Sequence, residues 1–322
     1  TIRPFVSKNG TLFNLASIFD NIQNVGMSYI LNQYKVMDRL SFMVEILNFI
    51  IETVDDCYYH FGENYKYYGA TNDGYLRDKA ENTDFSWKEL ASEDSRNDAD
   101  CNRNQPLELS FDWGSKACFM EVAQESHFDW ATKRVLPNRI VDLTINEFFT
   151  KWQDETDDTA LNVLIDKFCD YYRYHANKEI HYFRDRYGDV RLANNKKSYN
   201  ETAIDRLEKK GWSVIQYVHR GIEPPQHDKY LLWANITAEN DERYPIKRFN
   251  ASKCRYMLIS MNNTRVRMNS QGKFEKDKNS ERRDNIPPEE ATHFGDVVDK
   301  RVWTKYGDIL THPNATFIAA RI

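Results

Sequence analysis

Apolar and polar residues begin to alternate directly after Pro106. From Leu107 to Phe111 every second residue is apolar, the pattern of a half-buried strand, and this segment leads into the turn-like sequence Asp112-Trp113-Gly114. A second apolar run covers residues 117–123. The two runs predict an antiparallel hairpin.

The chain then alternates between strand patterns and helix patterns. Strands are predicted within residues 139–149 and at 179–185 and 212–218, separated by a helix expected to end near residue 177 and by a helix at 201–210. This order predicts parallel pairing through right-handed crossovers. We further expect elements in this order: a helix at 226–239, an apolar element at 253–261, a polar and cationic stretch at 265–286, and a final helix at 289–305. The expected fold class is α/β, with a mixed central sheet and flanking helices.

The N-terminal third has a different pattern. Residues 11–51 carry apolar stretches at mixed spacing, which favour helices packed on another surface, whereas residues 55–105 are rich in Asp, Asn, Tyr and Gly and favour irregular chain. We therefore expect a mainly helical and irregular auxiliary or linker segment over 1–105 and one domain over 106–322. Because the chain begins at Thr1, we expect a processed chain, an excised domain or further upstream residues.

Composition narrows the class of protein. Of the 322 residues 41% are apolar and 14% aromatic, which favours a packed globular protein, and no stretch is apolar for the roughly 18 residues of a membrane span. The five cysteines form no CxxC pair, which argues against a zinc site or a disulfide framework and favours a reducing cytosol. The net charge of -5 excludes a uniformly basic surface, but local basic patches can still bind phosphates.

Three aspartates stand where strands end or the last helix begins: Asp112, Asp185 and Asp296. Mg²⁺ and Mn²⁺ prefer carboxylate oxygens, and two such ions about 4 Å apart can activate water and stabilise the leaving oxygen of a phosphodiester. A hairpin joined to a parallel βαβ unit, with an acidic residue ending the first strand, is the arrangement on which RNase H-like nucleases build this site. Each carboxylate alone is more often a turn residue or a helix cap, and Asp189 and Asp299 compete with the second and third positions.

Three segments resemble the C-terminal, RNase H-like (RuvC-like) nuclease domain of phage large terminase subunits. They are Phe111–Gly114, Tyr182–Asp189 and Glu290–Asp299, and the resemblance extends over about residues 106–306. Residues 198–203 and 258–263 add to it. Upstream, residues 40–48 and 58–61 resemble the stretch that joins motor to nuclease in that family.

The resemblance implies a two-metal-ion endodeoxyribonuclease that cleaves concatemeric viral double-stranded DNA during genome packaging. It assigns Asp112, Asp185 and Asp296 as catalytic ligands of two Mg²⁺ or Mn²⁺ ions, Asp189 or Asp299 as alternates, and His293 as a neighbour of the site. The implied partners are a packaging ATPase domain, the small terminase subunit and the portal, in the host cytoplasm. Because the sequence has no GxxxxGK[ST] loop, the motor is missing from this chain, encoded elsewhere or absent; truncation is the favoured interpretation.

Basic residues flank the second and third aspartates, where phosphate contacts would be needed. The predicted DNA-binding residues are Arg184, Arg186, Arg191, Lys196, Lys197, Lys273, Lys276, Lys278, Arg282 and Arg283. Such charge runs are as often plain solvated surface. Two alternative functions stay open: a Holliday-junction resolvase that uses the same carboxylates, and a non-catalytic module that binds DNA, motor or portal.

Overall fold

The computed structural model of the chain describes residues 5–6, 12–13, 18–36, 57–62, 65–81, 93–113, 117–151, 159–190, 197–219, 223–283 and 285–311. The apolar segment at 40–48 and its predicted helix lie outside these ranges. Within these ranges the N-terminal part contains a short pair of strands and three α-helices: β1 (Phe5–Val6), β2 (Leu12–Phe13), α1 (Ile22–Val25), α2 (Met27–Val36) and α3 (Asp73–Glu81).

Six of the described strands form one mixed sheet. In sheet order they are β10 (Ile246–Phe249), β7 (Val141–Lys151), β4 (Ala117–Ser126), β3 (Leu107–Trp113), β8 (Glu179–Arg184) and β9 (Ser213–Val218). The predicted hairpin is β3–β4, and β7 continues it in the antiparallel sense. On the other side of β3, β8 and β9 pair in parallel, as β10 does with β7. The expected RNase H-like α/β fold, with a mixed central sheet, is confirmed.

Helices cover both faces of this sheet. They are α4 (Ala160–Tyr171), α5 (Tyr199–Lys209), α6 (Gln226–Ala238), α7 (Arg255–Asn263) and α8 (His293–Thr311). Two small hairpins are formed by the minor strands, one by β5 (Phe128–Asp129) with β6 (Arg134–Val135) and one by β11 (Val266–Met268) with β12 (Phe274–Lys276). The apolar residues of β3, spaced by two, pack into one core with α4 and α5. A second core joins α6, α7 and α8 to β4.

Three predicted elements differ from the structure. The helix expected to reach residue 177 ends at Tyr171, because the chain turns at 172–175. The polar stretch 265–286 contains the hairpin β11–β12, and the final helix begins at His293 and continues to Thr311 rather than spanning 289–305. Strand β10 was not predicted, since the charged side chains at its centre hide its apolar pattern.

One arginine of α8 connects three neighbouring strands. Arg301 is fully buried and its guanidinium lies 2.8 Å from Glu108 of β3, 2.9 Å from Glu121 of β4 and 2.8 Å from Asp142 of β7. Lys247 of β10 reaches the same Asp142 at 3.1 Å. The polar face of the sheet is therefore bound to α8 by charge, while the opposite face is bound to α4 and α5 by apolar packing.

Residues before position 105 take part in this core. Tyr58 and Tyr59 are buried in the packing of α6 and α8, where Tyr59 meets Trp233 edge to face. Tyr68 donates a hydrogen bond to Asp100, which Asn250 also contacts. Tyr58, Tyr59 and Tyr68 are therefore part of the packed core, and the boundary near residue 105 stays a prediction. No helix in the described ranges has the length and apolar character that crossing a bilayer requires.

Replacing Arg301 by Met is expected to destabilise the protein by about 3–5 kcal/mol, because three buried carboxylates lose their shared counter-charge. Arg301→Lys keeps the charge but lacks the planar fork, so its free energy of unfolding should lie between those of Arg301→Met and the parent. Urea unfolding of the three proteins gives the measurement. An Arg301→Met midpoint equal to that of the parent would show that the network does not stabilise the fold.

The same network predicts acid sensitivity. Burial alone would raise the pKa of Glu121 and of Asp142, but the charges of Arg301 and Lys247 hold both pKa values below their ordinary range. Their contribution to stability is therefore complete above the unfolded-state pKa of roughly 4 and is lost as the pH falls towards the folded-state values.

Urea midpoints measured between pH 7 and pH 3 should drop most steeply below about pH 4. The profile of Arg301→Met should be flatter over the same interval. Parallel profiles for the two proteins would contradict the assignment of this acid sensitivity to the network.

Candidate active site

The parallel register of β3 and β8 places two aspartates side by side. Ser110 pairs with Phe183, and two residues further along the chain come Asp112, still in β3, and Asp185, directly after the last residue of β8. Adjacent strands lie about 4.8 Å apart, so the two carboxylates leave the sheet edge as neighbours. The alternating pattern that identified β3 therefore also fixes the direction of Asp112.

Both carboxylates contact one cation. The ammonium of Lys300 lies 3.1 Å from Asp112 Oδ1 and 2.5 Å from Asp185 Oδ2. Burial alone would lower the pKa of Lys300, but the charges of the two aspartates raise it above its ordinary value. Lys300 is therefore charged at neutral pH and marks a position where the two acidic groups bind a cation in common.

Helix α8 supplies the remaining groups from one face. His293, Asp296 and Lys300 are spaced by three and four residues, so they follow one another along the helix surface. His293 Nδ1 lies 3.0 Å from Asp112 Oδ2, on the carboxylate oxygen that Lys300 does not contact. Burial would lower the pKa of His293, but its hydrogen bond to Asp112 and the nearby negative charges raise it. The imidazole and Asp112 thus form a charge-assisted pair.

Asp296 lies in the same region with different partners. Its carboxylate pairs with Lys276 at 2.6 Å and with Lys278, and its charge acts on both Asp112 and His293. Burial would raise the pKa of Asp296, whereas these two lysines lower it far below its ordinary range. The structure brings all three predicted aspartates to one end of the sheet, with Asp112 and Asp185 as an immediate pair and Asp296 beside them.

The alternate Asp189 has a structural role next to Asp185. Asp189 pairs with Arg184 at 2.5 Å and accepts a hydrogen bond from Asn200, which also donates to the backbone carbonyl of Asp185. Gly188 lies between them, where a Cβ would come within 2.7 Å of Asn200. The motif at 184–189 therefore shapes the turn that presents Asp185, whose Oδ1 accepts from the Gly188 N–H.

The alternate Asp299 is more buried than Asp296 and shares Lys276 with it. It pairs with Lys276 at 2.7 Å and accepts a hydrogen bond from Trp233 Nε1. These partners hold it in the core between α6 and α8. Its assignment as an alternate metal ligand stays a prediction.

The fit of a divalent cation can be judged from the donor set. Asp112 and Asp185 already share a cation position, and His293 occupies the second oxygen of Asp112. Within the described ranges no group of three or more Asp, Glu, His or Cys side chains is arranged as a metal site. The donor set of Asp112 and Asp185 fits one shared divalent ion in the place of the Lys300 ammonium. Asp296 could contact that ion only if its carboxylate left Lys276 and Lys278. The assignment of three metal ligands stays a prediction.

The predicted DNA-binding residues fall into four groups. Arg186, Lys273, Arg282 and Arg283 are exposed, and Arg184, Lys197 and Lys278 are accessible but ion-paired. Lys276 is wrong as a DNA contact, because its ammonium is buried between Asp296 and Asp299. Arg191 and Lys196 lie outside the described residues.

Lys300 is the functional residue that sequence reasoning missed. It follows Asp296 by four residues and His293 by seven, so the helical spacing of the last motif contained the signal. A lysine on a predicted helix is ordinarily a solvated side chain, and only the docking of α8 on the sheet shows that this one is held by two carboxylates.

No protein-family model matches the sequence, and no curated protein is similar to it. Three solved structures are similar in fold. The Mn-bound nuclease domain of the large terminase of bacteriophage SPP1 is 12% identical in sequence with a TM-score of 0.34, and the match covers 63% of this chain and 88% of that domain. The cobalt-bound large terminase nuclease of the thermophilic phage G20c is 9% identical with a TM-score of 0.30, and the match covers 60% of this chain and 82% of that nuclease. The yeast mitochondrial Holliday junction resolvase Ydc2 is 10% identical with a TM-score of 0.25, and the match covers 74% of this chain and 87% of the resolvase.

Two of these structures are nuclease domains of phage large terminases, the family that the sequence motifs resemble. At these identities and TM-scores the similarity transfers no substrate, metal or residue role to this chain.

The first turn of α8 requires the glycine of the His293–Asp296 motif. A Cβ on Gly295 would lie 2.2 Å from the hydroxyl oxygen of Tyr59 and 2.9 Å from the adjoining ring carbon. Alanine normally stabilises a helix by up to about 1 kcal/mol relative to glycine. Here we expect the opposite sign, a loss of about 1–3 kcal/mol from overpacking.

Thermal unfolding of Gly295→Ala, Tyr59→Phe and the double variant tests this contact. Tyr59→Phe removes the closest atom and should recover part of the loss. Gly74→Ala in α3 is the matched control, since a Cβ there meets its nearest atom only at 3.7 Å and should stabilise slightly. A stabilising Gly295→Ala would overturn the close packing of Tyr59 against α8.

Proposed function

We propose that this protein is a divalent-metal-dependent DNA endonuclease whose ligands are Asp112 and Asp185, completed by Asp296. The observation that supports it best is the convergence of Asp112 and Asp185, from strands 73 residues apart in sequence, on one cation position. Two carboxylates held this close repel each other unless a cation lies between them. Their side chains are 19% and 9% exposed, so the position is reachable from solvent.

A divalent cation bound there would supply Lewis-acid activation of a water and a phosphodiester oxygen. The residues of the chain orient that chemistry. His293 fixes the Asp112 carboxylate through Oδ2, and the Gly188 N–H fixes Asp185 through Oδ1, so each aspartate keeps its other oxygen directed at the cation position. Lys300, once released from the carboxylates, is available to pair with a phosphate.

Substrate binding is proposed for the exposed cations near the site. Arg186 follows Asp185 directly, and Arg282 and Arg283 precede α8. Contacts of this kind bind phosphates without regard to sequence and weaken as salt rises. They would hold duplex DNA across the end of the sheet where the aspartates meet.

The finer proposal is that the chain cleaves concatemeric viral double-stranded DNA during genome packaging, as a terminase nuclease with two Mg²⁺ or Mn²⁺ ions. Its support is the motif resemblance at 111–114, 182–189 and 290–299. Under this proposal its partners are a packaging ATPase, the small terminase subunit and the portal, and it acts in the host cytoplasm.

A second candidate is a module that binds DNA or a packaging partner without cutting it. The observation in its favour is that lysines neutralise all three aspartates: Lys300 pairs with Asp112 and Asp185, while Lys276 and Lys278 pair with Asp296. If these pairs persist in the presence of metal, the site cannot bind the ions that hydrolysis needs.

Supercoiled plasmid incubated with the purified chain and Mn²⁺ or Mg²⁺ is expected to be nicked. Asp112→Asn, which preserves side-chain shape, should lower the rate by about a hundredfold or more, since even residues that only support metal ligands are worth roughly 10–100-fold. The matched control is Asp170→Asn, the same change at an exposed residue of α4, which packs on the sheet face opposite α8. Its rate should equal that of the parent.

A metal titration followed by thermal unfolding separates the two candidates. A bound ion stabilises the folded state by mass action, so Mn²⁺ should raise the Tm of the parent and not of Asp112→Asn. DNA binding without a metal-dependent Tm shift or nicking would favour the binding module. Inhibition of plasmid nicking by a four-way junction at equal concentration would favour a resolvase over a terminase nuclease.

A further inference from the structure

A cavity of about 280 Å³ opens beside the paired aspartates, at the carboxyl ends of β8 and β9. Asp185 and Lys300 form the wall that it shares with the proposed active site. Ligand sites in proteins are typically roughly 300–1,000 Å³, so this one is at the small end and suits a single ring system with its substituents.

Flat and apolar groups line the cavity. Tyr187 stands at its rim with 70% of its surface exposed, and in the described part of the chain its ring stacks on no other ring. Trp303 and His219 lie deeper, and the Trp303 indole N–H donates to His219 Nε2 at 3.4 Å. Burial lowers the pKa of His219, so its ring is neutral at physiological pH. Exposed aromatic rings of this kind bind nucleobases by stacking.

The charge of the lining favours an anionic ligand. Four basic residues face two acidic ones: Arg184, Arg186, Lys229 and Lys300 against Asp185 and Glu223. Lys229 neutralises Glu223 at 2.7 Å, and Lys300 neutralises Asp185. Arg184 pairs with Asp189, which does not line the cavity, and among the described residues its Nε–H has no hydrogen-bond partner. Arg186 has no ion-pair partner among the described residues and is the surplus cation of the lining. Aromatic rings combined with surplus arginine match a nucleotide, with a base for the rings and a phosphate for the guanidinium groups.

From this arrangement we propose that the cavity receives one unpaired nucleotide of the DNA strand, adjacent to the phosphodiester that would lie beside Asp112 and Asp185 during cleavage. The inference rests on the proposed nuclease function for its orientation. Because a base inside a duplex cannot enter the cavity without leaving the stack, the ligand is a nucleotide that is already unpaired or easily extruded. The protein should therefore prefer DNA with a bulged or mismatched nucleotide over fully paired DNA.

Binding in EDTA tests the proposal without cleavage. Two end-labelled duplexes of equal length are compared by fluorescence anisotropy with the full chain, one fully paired and one with a single bulged 2-aminopurine. The bulged duplex should bind on the order of tenfold more tightly, as expected for one added stacking contact. The 2-aminopurine emission should change on binding.

Tyr187→Ala should abolish the preference for the bulge and leave the affinity for paired duplex unchanged. Tyr174→Ala, at another exposed tyrosine that does not line the cavity, should retain the preference. Equal binding of both duplexes by the parent, or a preference that survives Tyr187→Ala, overturns the proposal. If the chain prefers the bulge but cuts no DNA, the nuclease function is rejected and the cavity assignment stands. If it cuts DNA without preferring the bulge, the cavity assignment is rejected and the nuclease function stands.

Discussion

The attachment of α8 to the acidic face of the sheet determines how the candidate functional groups of the helix meet those of the strands. Arg301 is fully buried among Glu108, Glu121 and Asp142, which come from three neighbouring strands, so the helix has one rotation and one axial position that satisfies all three. A buried arginine without these partners would be very unfavourable. His293, Asp296 and Lys300 lie on the same helix and take their positions from this attachment.

The proposed site is a balance of opposite charges gathered where strands end. Asp112 and Asp185 are neighbours because the parallel register makes them so, and Lys300 offsets their repulsion. Lys276 has the same effect on Asp296 from the hairpin β11–β12. A carboxylate cluster that must bind and release cations needs such neutralisation when empty, and ammonium groups provide it without locking the cluster permanently.

Much of the fold was accessible from the sequence because the decisive strands carry clean patterns. The alternation at 107–111 predicted β3 and its hairpin, and with it the position of Asp112. Strand β10 escaped prediction because Lys247 and Arg248 are buried as ion pairs, which reverses the usual relation between charge and exposure. The choice of Asp185 over Asp189 depends on Asn200, a contact between residues far apart along the chain, so no local pattern could make it. Lys276 was predicted to be a surface cation because its ion pairs likewise join residues that are far apart along the chain.

The matched register of β3 and β8 constrains how this chain can change in length. Side chains alternate between the faces of a strand, so one residue inserted or deleted within β8 would turn Asp185 towards α4 and α5 while Asp112 kept its direction. Tolerated insertions and deletions should therefore collect in the connections, and the distance along each strand to its aspartate should be the most conserved measurement in any set of relatives.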